Sequence, residues 1–274
     1  PGIDPHTHKK ISTGSVESKF GIAIETGQAF SAAKAVLNLK NVTLCGFHCH
    51  IGSQIFESEP FATALEIMLD FIKSVKEKLG FNTDMLNLGG GFGVRYTESD
   101  PKISYTEKIR EVANSLNKQC AALGLNTPKI LTEPGRSLVA DAGITLYTVG
   151  SVKEIAGYKN YVSVDGGMTD NPRYTLYESP YTVILASNAN KKCDFTADIA
   201  GRCCESGDLI GEGFKLPKPK RGDILAVLTT GAYNYSMASN YNRIARPPVV
   251  MLNSERDYIA VKRESLSDVC SLDV

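Results

Sequence analysis

Leu86-Asn87-Leu88-Gly89-Gly90-Gly91-Phe92-Gly93 is the stretch whose reading decides the fold. The mostly apolar run from Met85 to Leu88 has the length of a short buried strand, and it stops in three consecutive glycines. Glycine adopts positive φ at little cost and lets backbone approach a ligand closely. Successive N–H groups in such a turn form a concave anion site, a nest suited to a phosphate. Taken alone, the stretch reads equally well as a tight turn with no ligand. Its company tips the balance.

Two other stretches share its layout. Val42-Thr43-Leu44-Cys45-Gly46-Phe47 reads as a strand running into His48-Cys49-His50-Ile51-Gly52-Ser53-Gln54. Lys129-Ile130-Leu131-Thr132 reads as a strand running into Glu133-Pro134-Gly135-Arg136. The three strand ends recur about every 40 residues, the size of a β-loop-α unit, with chemically capable residues where an α/β barrel places its active site.

Composition bounds the alternatives. The chain has 274 residues, 42% hydrophobic and 22% charged, ordinary values for a globular protein with one or two domains. Thirty basic and thirty acidic residues cancel, which argues against nucleic acid or an anionic membrane as the main partner. No apolar run reaches the roughly 18 residues that span a bilayer. The opening Pro1-Gly2-Ile3-Asp4-Pro5 shows no signal-peptide pattern. Seven scattered cysteines, an odd number, do not suggest a secreted disulfide framework, so a cytoplasmic location is expected.

In chain order, residues 1–21 read as a loop and residues 24–39 as a moderate helix. Residues 59–79 read as a strong amphipathic helix, with Phe61, Leu65, Met68, Ile72, Val75 and Leu79 stepping by three or four and Gly80 as the stop. Ser104 and Glu107 form a capping-box pattern opening a helix whose buried face carries Tyr105, Ile109, Val112, Leu116 and Cys120, with Gly124 closing it. Beyond Arg136 the texture turns β-rich over Leu138–Val152, Tyr161–Val164, Thr182–Ala186 and Ile224–Leu228. The expected organisation is a β/α domain over residues 1–140 and a mainly antiparallel β domain over 141–274. The basic turn Lys215–Asp223 reads as a solvated loop.

Several residues carry chemistry. Alternation places His48 and His50 on one face and Cys45 and Cys49 on the other. A zinc site there lacks a second ligand pair at the usual spacing, so no metal is expected. His50 suits stacking on a planar cofactor, or a place in the core. Glu133, held between an apolar strand and Pro134, reads as a buried carboxylate that needs a cationic partner, either a pyridinium nitrogen or Arg136. Ser53 can donate to a phosphate, and Arg136 can clamp a carboxylate or a phosphate. Arg173 and Tyr177 follow the loop Asp165–Pro172. Cys204 stands beside Glu205, and an ordinary thiol, titrating near about 8.5, keeps its proton at neutral pH. Tyr233 follows a strand, where its hydroxyl can reach a phosphate.

Together the motifs closely resemble the diaminopimelate decarboxylases, a group within the alanine-racemase-like, fold type III pyridoxal-phosphate enzymes. The resemblance rests on Pro1-Gly2-Ile3-Asp4, Ser18-Lys19-Phe20-Gly21, His48–Gln54, Gly89–Gly93, Glu133–Arg136, Cys204-Glu205-Ser206-Gly207-Asp208 and Gly231-Ala232-Tyr233, and covers nearly the whole chain. It implies the C-terminal part of a TIM-like β/α barrel followed by a β-barrel or sandwich domain, with pyridoxal 5'-phosphate as cofactor. His50 would stack on the ring. Ser53, Gly89, Gly90, Gly91, Gly135 and Tyr233 would hold the phosphate, and Glu133 would pair with the pyridinium nitrogen. Arg136, Arg173 and Tyr177 would bind the distal end of the substrate, and Glu205 its amino group. Cys204 would donate a proton within a homodimer of shared sites. The implied reaction converts meso-2,6-diaminoheptanedioate to L-lysine; the rivals are an ornithine- or arginine-type decarboxylase and a non-catalytic homologous fragment. The family's cofactor lysine lies upstream of anything resembling Pro1, and no lysine here has a matching context. The chain is therefore expected to be a C-terminal fragment, inactive alone.

Overall fold

The structure, a computed structural model, describes residues 1–3 and 16–274, so most of the loop expected over residues 1–21, including Asp4, lies outside the described residues. The chain divides into two compact units, Pro1–Arg95 with Pro101–Leu138, and Tyr96–Asp100 with Val139–Val274.

The first unit is built on three short strands, β1 (Gly46–His48), β2 (Met85–Asn87) and β3 (Lys129–Leu131), paired in parallel in the order β1-β2-β3. The strand expected from Val42 forms only from Gly46, and Val42 is exposed. Pairing begins where the Cys45 carbonyl takes the N–H groups of Asp84 and Met85, both at 3.1 Å. At Gly46 a Cβ would fall 1.8 Å from the Met85 carbonyl oxygen, so only glycine allows the two strands to close there.

Helix α1 (Gln28–Val36) is shorter than the expected 24–39. Helix α2 (Glu59–Leu79) matches its hydrophobic period and ends at Gly80, whose φ of 70° places it in the left-handed region. It buries Phe61, Leu65, Met68 and Ile72 in one core with Leu86, Leu88 and Phe92 of the Gly-rich segment, and Val75 is buried as well. Each such side chain contributes about 1.5–3 kcal/mol by leaving water. Helix α3 (Tyr105–Leu123) begins as expected, Ser104 Oγ accepting from the Glu107 N–H at 3.4 Å. Leu116 and Cys120 are buried and Tyr105 and Val112 pack against the core, but Ile109, expected on the same face, is exposed.

The second unit carries a six-stranded mixed sheet in the order β6-β9-β4-β5-β7-β8, with β4 (Ile144–Glu154), β5 (Asn160–Val164), β6 (Val183–Leu185), β7 (Phe195–Ala200), β8 (Leu209–Leu216) and β9 (Ile224–Leu228). All neighbours are antiparallel except β5 and β7, which run parallel. A separate hairpin, β10 (Val249–Leu252) with β11 (Asp257–Val261), follows. Residues 138–143, read as the start of a strand, form short helical turns instead. Strand β7 is polar at Thr196 and Asp198 and carried no clear strand signal. Asp198 is buried there because Lys159 Nζ (2.7 Å) and the Gly213 N–H (2.9 Å) satisfy its carboxylate. Of the stretch expected as a loop, Lys215 and Leu216 end β8, with Leu216 buried against the sheet, and the turn that follows is closed by Asp223, which accepts from the Lys220 N–H at 2.9 Å.

Two substitutions separate core from cap. Leu65→Ala, at a side chain with no exposed surface, should cost about 2–5 kcal/mol, and Ser104→Ala about 1 kcal/mol, both read from urea midpoints. Equal losses would show that α2 does not carry the core.

Candidate active site

In the first unit the three parallel strands open into the three loops that the sequence singled out. β1 leads to His50–Gln54, β2 to Gly89–Gly93 and β3 to Glu133–Arg136. The Glu133 N–H donates to the Gly89 carbonyl at 2.7 Å, and the Ile55 N–H to the Gly91 carbonyl at 2.9 Å. The approach leaves no room for side chains at the glycines. A Cβ at Gly89 would lie 2.6 Å from His50 Nδ1, one at Gly90 2.2 Å from the Glu133 carbonyl oxygen, and one at Gly91 2.3 Å from that of Gly52. Gly89 (φ 70°) and Gly91 (φ 97°) also require left-handed backbone.

The triplet does not offer three free N–H groups in a row, which corrects the simple picture of a nest. The Gly89 N–H donates to Asn87 Oδ1 at 2.8 Å, and the Gly90 N–H to His50 Nδ1 at 3.2 Å. The N–H groups of Gly91 and Phe92 meet no acceptor among the described residues, so they are the donors available to a phosphate. The loop is braced from behind. Phe92 stacks on Phe61 with ring centroids 5.0 Å apart, Tyr105 Oη donates to the Gly93 carbonyl at 2.9 Å, and the Gln54 amide pairs with both the N–H and the carbonyl of Val94.

His50 is half-buried with its Nδ1 acting as an acceptor. Burial, then the neighbouring His48, push its pKa below the ordinary histidine value, against an opposing effect of Glu133, so the ring is neutral at pH 7. His48 is exposed and Cys49 is packed in the core, its thiol pushed up to about 11 by burial. Cys45 lies outside the strand and exposed, so it does not share a face with Cys49.

Glu133 is exposed, where a buried carboxylate was expected, and its partner is a neutral amide: Asn87 Nδ2 donates to Oε1 at 2.8 Å. Asn87 therefore holds the start of the Gly-rich loop with one end of its amide and the Glu133 carboxylate with the other. The sequence reading passed over it, although an Asn two residues before a glycine is a recognisable local side-chain-to-backbone bond. Arg136 is buried and donates to Ser53 Oγ from Nη2 (3.0 Å) and Nε (3.3 Å), leaving the Ser53 hydroxyl proton to point elsewhere. Gly135 is exposed at the head of the turn Arg136–Val139. His50 and Glu133 stand on the wall of a cavity of about 1190 Å³, with Phe47, Met68 and Phe71.

In the second unit, Arg173 opens the short helix Arg173–Tyr177 with only 4% of its surface exposed. Its guanidinium lies 5.2 Å from the Tyr177 ring centroid and 5.7 Å from that of Tyr233. Nη2 makes a long bond to Ser179 Oγ at 3.4 Å, and Nε has no partner. No carboxylate reaches it among the described residues. Tyr233 holds a left-handed φ of 60°, a strained value for an aromatic residue. Cys204 is exposed on the turn between β7 and β8, and Cys203 beside it is half-buried, its thiol pushed up to about 11 by burial and by Asp208. The Glu205 carboxylate accepts a short hydrogen bond from Tyr241 Oη, a partner 36 residues away that no local pattern announced.

A parallel β-loop-α sheet whose strand ends carry an imidazole, an amide-held carboxylate, a hydroxyl and unspent N–H donors has the groups that a phosphate-bearing planar cofactor needs. Residues 1–140 match the family model described as "Pyridoxal-dependent decarboxylase, pyridoxal binding domain", and the chain belongs to that family, whose cofactor is pyridoxal phosphate. Over its whole length it is 46% identical to the diaminopimelate decarboxylase of Bacillus subtilis, and over 97% of its length 48% identical to that of Bacillus methanolicus. It spans 62% of the length of each of these relatives. The crystal structure of diaminopimelate decarboxylase from M. jannaschii in co-complex with L-lysine matches all of this chain and 62% of that one, with TM-score 0.91 and 36% identity. The lysine/ornithine decarboxylase of Vibrio vulnificus, complexed with cadaverine, matches 84% of this chain at TM-score 0.68 and 25% identity. The fold is thus that of the type III pyridoxal-phosphate enzymes.

Asn87→Leu should leave the Gly89 N–H and the Glu133 carboxylate unpaired, at about 1–3 kcal/mol. Fluorescence titration of the apo-protein should then show pyridoxal phosphate held about tenfold or more weakly. Unchanged affinity would remove Asn87 from the cofactor site.

Proposed function

We propose that the protein carrying this chain decarboxylates meso-2,6-diaminoheptanedioate to L-lysine with pyridoxal phosphate. The observation that carries the reading is the buried, unneutralised guanidinium of Arg173. A buried charge without a counter-ion is costly, and a bidentate carboxylate is its natural partner. The substrate has a second carboxylate at the end remote from the reaction, whereas ornithine and arginine have none. The kinship with diaminopimelate decarboxylases supports the same choice.

The roles of the residues follow. Ser53 Oγ, the Gly91 and Phe92 N–H groups, Gly135 and Tyr233 would hold the phosphate, and His50 would lie against the ring. When bound, the cofactor supplies an electron sink for the pair left by the departing CO2. Glu133 would hold a proton at the pyridine nitrogen and keep that sink deep. Arg173, between Tyr177 and Tyr233, would fix the distal carboxylate, with Arg136 beside Ser53 as a second cation for the substrate. Glu205, oriented by Tyr241 Oη, would take the amino group. Cys204 Sγ would deliver a proton to the carbon that lost CO2, in the site of the other subunit of a homodimer. Cys203 is the poorer candidate for that proton because it is half-buried and burial and Asp208 hold its thiol proton more tightly.

Two measurements, in enzyme of the relatives' full length carrying this chain, test the reading. Arg173→Ala should raise KM about 10- to 100-fold, the worth of a charge-assisted bond, and erase the preference over substrates lacking the distal carboxylate; an unchanged KM refutes the clamp. Cys204→Ala should lower kcat by about 10²-fold or more, and mixing it with a variant lacking the cofactor lysine should restore activity through one intact site per mixed dimer. Heterodimers that form and stay dead would refute sharing.

A further inference from the structure

We infer that Asp208 is a positioning residue for the proton-donating loop, an inference that rests on the role proposed for Cys204. The Asp208 side chain is 2% exposed and has no cation in ion-pairing distance among the described residues. Its carboxylate takes two backbone N–H groups and lies against the Cys203 thiol. Oδ1 accepts from the Met168 N–H at 2.6 Å and Oδ2 from the Cys203 N–H at 2.7 Å. Its own N–H donates to the Glu205 carbonyl at 3.0 Å, and its carbonyl accepts from the Gly201 N–H at 2.8 Å. The segment from Gly201 to Asp208 is thereby closed around one carboxylate, with Cys204 and Glu205 at the exposed tip.

The surroundings are shaped to that carboxylate. A Cβ at Gly201 would lie 2.2 Å from Oδ1, and one at Gly167, where φ is 145°, 2.3 Å from it. The bond to Met168 also ties the tip to the Asp165–Pro172 loop that leads into Arg173. That loop is anchored independently, Asp170 accepting from the Gly167 N–H at 3.0 Å and from Tyr147 Oη. Two adjacent N–H groups, of Gly167 and Met168, are thus held by two different carboxylates. Asp208 sets where the thiol of Cys204 stands relative to the clamp loop. An acceptor with two equivalent oxygens is required, since an amide would turn one N–H···O bond into an opposed pair of donors.

The test uses decarboxylation in D2O by the cofactor-loaded enzyme of full length. The C–CO2 bond breaks, its electron pair stays on carbon, and one deuteron from the exchanged thiol replaces the lost CO2. A correctly placed thiol delivers it to one face only. Asp208→Asn should fold with a lowered thermal midpoint, keep its cofactor absorbance, lose about 10²-fold in kcat, and give product labelled on both faces. Cys204→Ala should also label both faces. Stereospecific labelling by Asp208→Asn alongside mixed labelling by Cys204→Ala overturns the inference and leaves the role of Cys204 standing. Stereospecific labelling by Cys204→Ala overturns both. If Asp208→Asn does not fold, Gly201→Ala, which presses on the same carboxylate, is read by the same rule.

Discussion

The first unit depends on how closely three strand-end loops approach one another. Gly89, Gly90 and Gly91 sit where a Cβ would come within 2.2–2.6 Å of His50, Glu133 or Gly52. Protein atoms do not tolerate such distances, so any side chain there would push the loops apart. The consequences run outward. With the loops closed, the Gly90 N–H reaches His50, Asn87 reaches Glu133, and Arg136 reaches Ser53. The residues at these strand ends are fixed by one another, with helix α2 and the Phe61–Phe92 stack behind them.

The second unit works differently. Its chemical residues are organised by buried charges that lack opposite charges. Arg173 rests between two aromatic rings and Asp208 among backbone N–H groups. Burying an ion this way is costly without compensating bonds. Asp208 takes a backbone N–H on each carboxylate oxygen, with the Cys203 thiol alongside. Arg173 is compensated only in part, its Nε being without a partner.

Much of this was legible in the sequence because the signals are local. Helix α2 is a period of 3.6 with a glycine stop, and both can be read from residues 59–80 alone. The Gly-rich loop, the His48–Gln54 and Glu133–Arg136 segments, and their spacing of one β-loop-α unit announce strand ends bearing chemistry. The motifs from Cys204 to Asp208 and at Gly231–Tyr233 add the resemblance to the decarboxylases.

What the sequence by itself determined, then, is the strands and helices of the first unit and strands β4, β5, β6 and β9 of the second, to within a few residues, together with the residue types at their ends, since backbone preference and hydrophobic period act over a few neighbours. The tertiary structure alone decided the partners. Glu133 turned out to be exposed and held by a neutral amide, because its neighbour across the sheet is Asn87, 46 positions away. Two of the three glycine N–H groups were taken by protein acceptors, so the free donors are Gly91 and Phe92. Tyr241 met Glu205, β5 met β7 in parallel, and Ile109 stayed exposed. Each of these is a contact between distant segments, fixed by how loops pack in space, and no local pattern of residues encodes it.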